Sequence, residues 1–286
     1  MQIREVSVSS VPEYLEATLQ TLRDWAEKIR NSPGFDSDEH LDVWYRGQSR
    51  SSHKLIPGAY RRQVDHCSAF NRFVAAGAGT IVPIPSTQWE WYFIAQHYEL
   101  PTRLLDWTED PLVALYFALI GMASDDDKLA FEDADPPVVW MMDAGSLNYL
   151  CFERDCVFVP QDDGPLTKHW LPRQVKDEVT HFEYDGRKQN NDCPIAIWPT
   201  RTSPRILAQS GCFTVHGCSK EPLESAFERS NVSVHSELIL KVKLAKPETM
   251  ASELFQLSIT RQRYFPELSN VASRLRRLYS PGQSRR

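Results

Sequence analysis

The stretch QHYELPTRLLDWT, residues 96–108, concentrates polar side chains between two hydrophobic segments. It contains a glutamine, a histidine, an arginine, an aspartate and two threonines. A polar group that is buried without a hydrogen-bond partner costs on the order of 1–3 kcal/mol. These side chains therefore need partners, either from one another or from a bound ligand. We expect the stretch to be a loop that is either a structural polar cluster or the wall of a site.

The segments on both sides of this loop are predicted helices. Residues 89–97 are rich in aromatic side chains and lead directly into the loop. On its other side, Glu109 and Asp110 precede Pro111. Acidic residues favour a helix N-terminus and proline fits the first helical position. The predicted buried stripe of this second helix is Leu112, Leu115, Tyr116 and Leu119.

Hydrophobic spacing predicts the remaining elements. Ser10 and Glu13 form a capping-box pattern, and an amphipathic helix with the buried stripe Leu15, Leu19, Leu22, Ala26 and Ile29 follows. The predicted strands are residues 43–48, 138–142, 206–215 and 234–244, where the last alternates apolar and polar side chains. The predicted closing helices are residues 248–257 and 266–278.

Unevenly mixed strands and helices indicate an α+β protein with a mixed, mostly antiparallel sheet core and flanking helices. We expect residues 1–39 to form a strand and a helix that pack on one domain, residues 40–280. Residues 152–200 have weak periodicity and are predicted to be an irregular insertion with long loops. Residues 281–286 are predicted to be a flexible tail.

Composition narrows the classes of partner. The net charge of −6 and the pI of about 5.8 provide no global positive field that would attract nucleic acid. The longest apolar stretch, residues 112–123, is much shorter than the ~20 residues that span a membrane. Together with the absence of a signal-peptide pattern at the N-terminus, this predicts a cytoplasmic protein with no membrane partner. The six cysteines lack C-x-x-C spacing, so we expect free thiols and no metal.

Arg46 is the first candidate for a ligand-binding residue. Period-two geometry puts Trp44, Arg46 and Gln48 on one face of the predicted strand. An arginine in this position either forms a structural ion pair or binds a phosphate or carboxylate through two hydrogen bonds. Gly47 allows another backbone, or a ligand, to approach closely.

The loop provides further candidates, each with a structural alternative. His97 is either a ligand-binding or acid–base residue, or a helix-end histidine favoured by the helix dipole. Arg103 and Asp106 either contact a ligand or form an internal ion pair. Thr102 and Thr108 could simply bond backbone groups at the ends of the loop. No G-x-S-x-G, P-loop, H-E-x-x-H or Rossmann glycine pattern accompanies them.

These residues resemble the FRG domain family, named for an aromatic–Arg–Gly motif that here is Tyr45-Arg46-Gly47. Glu99 replaces the glycine that is usual in the family, and Glu267 replaces its aspartate. The resemblance covers about residues 40–280. Its other motifs, in chain order, are Leu55-Ile56-Pro57 with Arg61, the 96–108 stretch, Pro111 with Ala114 and Phe117-Ala118, Val139-Trp140, Arg205 with Ala208-Gln209-Ser210-Gly211 and Phe213, and Phe265-Pro266-Glu267-Leu268.

The family occurs widely in bacteria and phages, often in settings that suggest defence or toxin roles. The arrangement is also, more distantly, similar to the arginine-containing ADP-ribosyltransferases, which implies an ADP-ribosyltransferase-like fold with NAD as substrate. In those enzymes an arginine on the first strand holds the NAD pyrophosphate and a late glutamate stabilises an oxocarbenium-like transition state. The candidates for that late group are Gln209, Glu237 and Glu267.

The leading hypothesis is therefore a nucleotide-binding pocket with NAD-dependent ADP-ribosyltransferase or NAD-cleaving activity. The expected catalytic residues are Arg46, His97, Gln209 and Glu267. The expected nucleotide-binding residues are Arg46, Gln96, Thr102, Arg103, Asp106 and Thr108. The competing hypothesis is a non-catalytic sensor module that recognises a nucleotide, a nucleic acid or a protein. A third interpretation is that the polar stretch is purely structural.

Overall fold

The computed structural model describes residues 2–32, 41–121, 130–172, 178–200, 203–229 and 234–279. The predicted tail at 281–286 lies outside these ranges. The strands are β1 (Arg4–Val8), β2 (Val43–Gln48), β3 (Leu104–Thr108), β4 (Val138–Asp143), β5 (His181–Tyr184), β6 (Arg187–Asn190), β7 (Ile195–Ile197), β8 (Gly211–Val215) and β9 (Ile239–Leu244). The helices are α1 (Val11–Arg30), α2 (Gly58–Arg61), α3 (His66–Gly77), α4 (Gln88–His97), α5 (Pro111–Leu119), α6 (Ala144–Phe152), α7 (Pro204–Ala208), α8 (Glu224–Arg229), α9 (Pro247–Gln256), α10 (Arg261–Tyr264) and α11 (Leu268–Leu278).

A seven-stranded sheet forms the centre of the fold, in the order β1-β9-β4-β2-β3-β8-β7. β1 pairs with β9 in parallel, whereas the other five pairings are antiparallel. The hairpin of β5 and β6 forms a separate sheet. The predicted α+β class with a mixed, mostly antiparallel sheet is confirmed. None of the helices in the described ranges is long and apolar enough to cross a membrane.

Apolar side chains pack on both faces of the sheet. Tyr45 of β2 belongs to a cluster that includes α1, α5 and α9, while its neighbour Trp44 belongs to a cluster with residues of α6 and α8 on the other side. β4 alternates in the same way, since Met141 lies in the first cluster and Trp140 in the second. The central strands are thus covered twice, and their positions are fixed by packing from two directions.

Gly47 is the point at which α5 approaches β2 most closely. A Cβ atom at this position would lie 2.0 Å from the carbonyl oxygen of Ala114 and 2.4 Å from the backbone nitrogen of Ala118. Only a glycine leaves room for this contact. The close approach that the sequence allowed for a backbone or a ligand is thus made by the backbone of α5.

The prediction of a loop through residue 108 was wrong in its second half. Residues Leu104–Thr108 form β3, which pairs with β8 along its length. Four of its five side chains are buried and Asp106 is exposed. Because both faces of a central strand are covered, its apolar side chains do not alternate with polar ones. The alternation of apolar and polar side chains that usually predicts a strand was therefore absent from residues 104–108.

Two predicted strands are each shortened by a helical segment. Residues 206–215 divide into the end of α7 and the strand β8; Ser203 caps α7 and Pro204 occupies its first turn. Residues 234–244 begin with a 3-10 turn, Val234–Glu237, before β9. Glu237 consequently leaves the strand and forms an ion pair with Lys28.

Of the predicted buried stripe of α1, only Ile29 is confirmed as fully buried. The buried side chains include Tyr14, Thr18 and Trp25, whereas Leu19 is 53% exposed. Thr18 can be buried because its hydroxyl donates to the carbonyl of Tyr14 at 2.8 Å. The face rich in aromatic residues, rather than the face rich in leucines, packs on the sheet.

Candidate functional site

A cleft with a volume of about 880 Å³ is lined by residues of β2, β3, α2, α4, α5 and α7. This volume lies within the range of roughly 300–1,000 Å³ that is typical of small-molecule sites. Five arginines line it, against two carboxylates, Glu99 and Asp106; the arginines are Arg46, Arg50, Arg61, Arg62 and Arg205. The excess of positive charge favours an anionic ligand.

The cleft lies where β2 and β3 diverge. β2 pairs with β4 at six positions and β3 pairs with β8 at five, but β2 and β3 are paired only at Tyr45 and Thr108. From that point the two strands separate, and residues of both line the cleft. The site is therefore a gap between neighbouring strands.

Arg46 extends from β2 toward β3 across this gap. Its Nη1 donates to the carbonyl oxygen of Asp106 at 2.5 Å and lies 3.7 Å from the carboxylate atom Oδ2 of the same residue. The Arg46 side chain is 16% exposed, and its buried Nε has no hydrogen-bond partner in the described part of the chain. A guanidinium has five N–H donors, so this one retains donors for a ligand.

The electrostatic environment of Arg46 also favours an incoming anion. Burial lowers the pKa of the Arg46 guanidinium from its usual value; Asp106 opposes this shift and the positive charge of Arg61 adds to it. Arg61 is thus near enough for its charge to act on Arg46. A negative group that binds at both guanidinium groups would relieve their mutual repulsion. Arg50, at the rim, is already paired with Glu132.

A chain of hydrogen bonds holds Asp106 on the β3 side. Gln96 Nε2 donates to both carboxylate oxygens of Asp106, at 2.9 and 3.0 Å. The hydroxyl of Thr102 donates to Gln96 Oε1 at 2.5 Å and accepts from the backbone N–H of Leu104 at 3.0 Å. Two further residues of the predicted site, Gln96 and Thr102, are therefore connected to Arg46 through Asp106.

Thr108 and Gln209 join β3 to the segment before β8. The hydroxyl of Thr108 donates to the carbonyl of Gln209 at 2.7 Å and accepts from the N–H of Asp110 at 3.0 Å. The side-chain amide of Gln209 donates to the carbonyl of Tyr264 at 3.0 Å. Both residues line the cleft, but these contacts are structural, since they fix the position of its wall.

Arg103 was expected in the site, and its side chain lies elsewhere. It is 3% exposed, and its Nη2 donates to the carbonyl of Trp170 at 2.5 Å. Its backbone N–H donates to the hydroxyl of Tyr92 at 2.8 Å. Burial, together with the charge of Arg103, lowers the pKa of His216 to about 3. Arg46, rather than Arg103, is the cation that pairs with Asp106.

His97 and Glu267 do not line the cleft either. His97 ends α4, and burial lowers the pKa of its imidazole; the charge of Arg205 lowers it further and that of Glu267 raises it. The charges of Arg205 and Glu267 are therefore near enough to act on His97. Glu237, paired with Lys28 on α1, is likewise outside the cleft lining. The late carboxylate expected from the ADP-ribosyltransferase resemblance is thus not brought to the site.

Arg61 and Arg205 were missed as site residues, although a signal for both was present. Each belongs to a motif of the family resemblance, and each lines the cleft. Arg61 ends α2, and Arg205 lies in the first turn of α7 with its guanidinium 4.6 Å from the ring centre of Phe265. Motif arginines outside the polar stretch should have been included among the candidates for anion binding.

Comparison with known families gives one match. Residues 41–127 match the FRG domain, a range that holds Arg46 and the polar stretch but ends before Gln209. No curated protein and no solved structure matches the chain. The FRG resemblance is supported for residues 41–127, and its extension to residue 280 stays a prediction.

Proposed function

We propose that the cleft binds a nucleotide through its phosphate groups, with NAD as the candidate ligand. One observation carries this proposal: the guanidinium of Arg46, with a buried and unpartnered Nε, projects into a cleft beside a second arginine, Arg61. Arginine binds phosphate through parallel N–H···O bonds, and charge-assisted bonds of this kind are roughly twice as strong as neutral ones. A diphosphate offers enough oxygens for both guanidinium groups.

The apolar part of the cleft supports the same ligand class. Phe117 and Phe131 line it, and both rings are only partly buried in the core next to them. Aromatic rings of this kind stack on flat heterocycles. A ligand with phosphates at one end and a base at the other would match the arginines and the two phenylalanines together. Inorganic phosphate alone would leave the apolar part empty.

Ligand-induced stabilisation tests the proposal. We expect NAD to raise the melting temperature more than a short DNA or RNA oligonucleotide, because the volume of the cleft is typical of a small-molecule site. A ligand at a hundred times its Kd stabilises the folded protein by about 2.7 kcal/mol. Arg46→Met should weaken binding by about tenfold or more in calorimetric titration. Arg72→Met, which removes an exposed arginine of α3 outside the cleft lining, is the matched control. The proposal fails if no nucleotide binds, or if Arg46→Met binds NAD as tightly as the unmodified protein.

Cleavage of NAD is the second candidate function, and the position of Asp106 favours it. This carboxylate is 58% exposed and lies 3.7 Å from a guanidinium nitrogen of Arg46. If the diphosphate lies on the arginines, the carboxylate is placed to stabilise positive charge that develops on an adjacent ribose. The bond from the ribose C1′ to nicotinamide would break with its electron pair on the leaving nicotinamide, while water or an acceptor forms the new bond. The family resemblance suggests that such an activity would serve in bacterial or phage defence or in a toxin system.

Release of nicotinamide distinguishes an enzyme from a sensor. Purified protein is incubated with NAD, and free nicotinamide is measured by chromatography. For an enzyme, Arg46→Met and Asp106→Asn should both reduce the rate by at least about tenfold, while Arg72→Met leaves it unchanged. Binding of NAD with no release of nicotinamide above the rate of Arg46→Met would instead support the non-catalytic module.

A further inference from the structure

We infer that Asp106 makes the cleft selective for ribonucleotides, by accepting hydrogen bonds from the hydroxyls of the ribose that follows the phosphate bound at Arg46. This inference rests on the proposed nucleotide function and deepens it. It divides nucleotides into two groups: those with a free ribose diol, and those in which a 2′- or 3′-hydroxyl is missing.

The orientation of the Asp106 carboxylate is determined by its neighbours. The hydroxyl of Thr102 accepts from the N–H of Leu104, so its own hydrogen is available for Gln96 Oε1, 2.5 Å away. Because a carboxylate only accepts hydrogen bonds, the nitrogen of the Gln96 amide must face Asp106, and its oxygen faces Thr102. The carboxylate is held by an amide whose own orientation is fixed, and it is in place before any ligand arrives.

Asp106 also retains the capacity to accept further hydrogen bonds. An ionised carboxylate offers about four lone-pair positions. Gln96 Nε2 approaches both oxygens, and the contact from Arg46 to Oδ2 is 3.7 Å, longer than a hydrogen bond. More than half of the side chain, 58%, remains exposed and it lines the cleft. Its free lone pairs can therefore meet the hydroxyls of a ligand.

The spacing of charges matches a ribose phosphate. Arg46 provides donors for the phosphate, and Asp106 provides acceptors a few ångströms away. A ribose 5′-phosphate carries both complementary groups on a single sugar ring, with the phosphate at one end and the diol at the other. Carboxylates recognise ribose hydroxyls in this way in dinucleotide-binding folds. A deoxyribose would lack one of the two donors, and a 2′-phosphate would place negative charge against the carboxylate.

Affinities for three adenosine diphosphates test the assignment. Calorimetric titration of the full chain compares ADP with 2′-deoxy-ADP and 3′-deoxy-ADP. We expect at least one deoxy form to bind about tenfold more weakly than ADP. In Asp106→Asn, the ratio of the ADP affinity to the deoxy-ADP affinity should fall to about threefold or less, since a neutral acceptor forms a weaker hydrogen bond. Glu99→Gln is the matched control: it removes the other cleft carboxylate, and should change all three affinities together without changing their ratio.

The outcomes separate this inference from the function on which it rests. If the three diphosphates bind equally while Arg46→Met abolishes binding, the inference is overturned and the nucleotide function stands. Narrowing of the ratio to the same extent in Glu99→Gln would overturn it as well, because that result is a general effect of charge. Failure of every nucleotide to bind removes the proposed function and this inference together.

Discussion

Gly47→Ala tests the close contact on which both the sheet and the cleft depend. The added Cβ would lie 2.0 Å from the carbonyl oxygen of Ala114 and 2.4 Å from the nitrogen of Ala118. Both are backbone atoms of α5, so no side-chain rotation relieves the overlap, and the helix as a whole must shift. Overpacking of a core typically costs 1–3 kcal/mol and occasionally more. We expect the free energy of unfolding to fall by about 3 kcal/mol, at the upper end of that range.

Urea unfolding followed by circular dichroism measures this loss. Gly79→Ala is the matched control, because a Cβ at Gly79 would meet no atom within 4 Å; its effect should stay within about 0.5 kcal/mol. A displaced α5 would also move Ala114 and Phe117, which line the cleft, so nucleotide affinity should fall together with stability. A loss below about 1 kcal/mol for Gly47→Ala would show that α5 does not pack against β2 as closely as described.

Three further substitutions test single features of the fold. Glu99 has a φ of 61° at the C-terminus of α4, so Glu99→Gly should raise the free energy of unfolding by about 0.5–1 kcal/mol, while thermal unfolding of Glu99→Ala should show no gain. Burial holds the pKa of His216 at about 3, below the unfolded value of about 6.5. As the pH falls, protons therefore bind the unfolded chain first, and the free energy of unfolding should decrease by about 2 kcal/mol between pH 6.5 and pH 5. Urea titrations should find a smaller decrease in His216→Phe. Arg103→Met leaves the carbonyl of Trp170 without its donor and should lower the free energy of unfolding by about 1–3 kcal/mol. A normal melting temperature for this variant would contradict the buried role of Arg103.

Local signals predicted the elements that flank the site. β2 has the predicted bounds, residues 43–48, because aromatic side chains and the glycine distinguish it from its neighbours. α5 begins at Pro111 with Asp110 as its cap, as the proline and the acidic pair indicated. α4 begins at Gln88, one residue before the predicted start. Each of these elements is determined by residues close to it in the chain.

The elements that were predicted wrongly depend on distant partners. β3 is a strand because β8 pairs along its whole length, and no feature within residues 104–108 predicts that pairing. The packed face of α1 was assigned to leucines, whereas the sheet beneath it receives Tyr14 and Trp25. Arg103 was placed in the site because of its position in a polar stretch, whereas its side chain is buried and donates to the carbonyl of Trp170.

Glu99, at the position where the FRG family usually has glycine, has a positive φ. The N–H of Glu99 donates to the carbonyl of Gln96, and the N–H of Leu100 donates to that of Ala95. These two bonds form a Schellman motif, whose residue after the cap must be left-handed. Glutamate adopts this conformation at a cost, and the end of α4 keeps its shape. This helix end carries Gln96, which donates to Asp106.

The divergence of β2 and β3 gives Arg46 two roles that can be separated by experiment. Beyond the single pairing at Tyr45 and Thr108, backbone groups of β3 that face β2 must find other partners, and Arg46 supplies one to the carbonyl of Asp106. In Arg46→Met this carbonyl faces an open cleft, where water can replace the lost donor. We therefore expect a stability loss below about 1 kcal/mol in urea unfolding together with a large loss of nucleotide affinity, which is the opposite of the result expected for Arg103→Met. If Arg46→Met instead unfolded as readily as Arg103→Met, the guanidinium would be a structural brace, and the argument for an anion site in this gap would lose its main support.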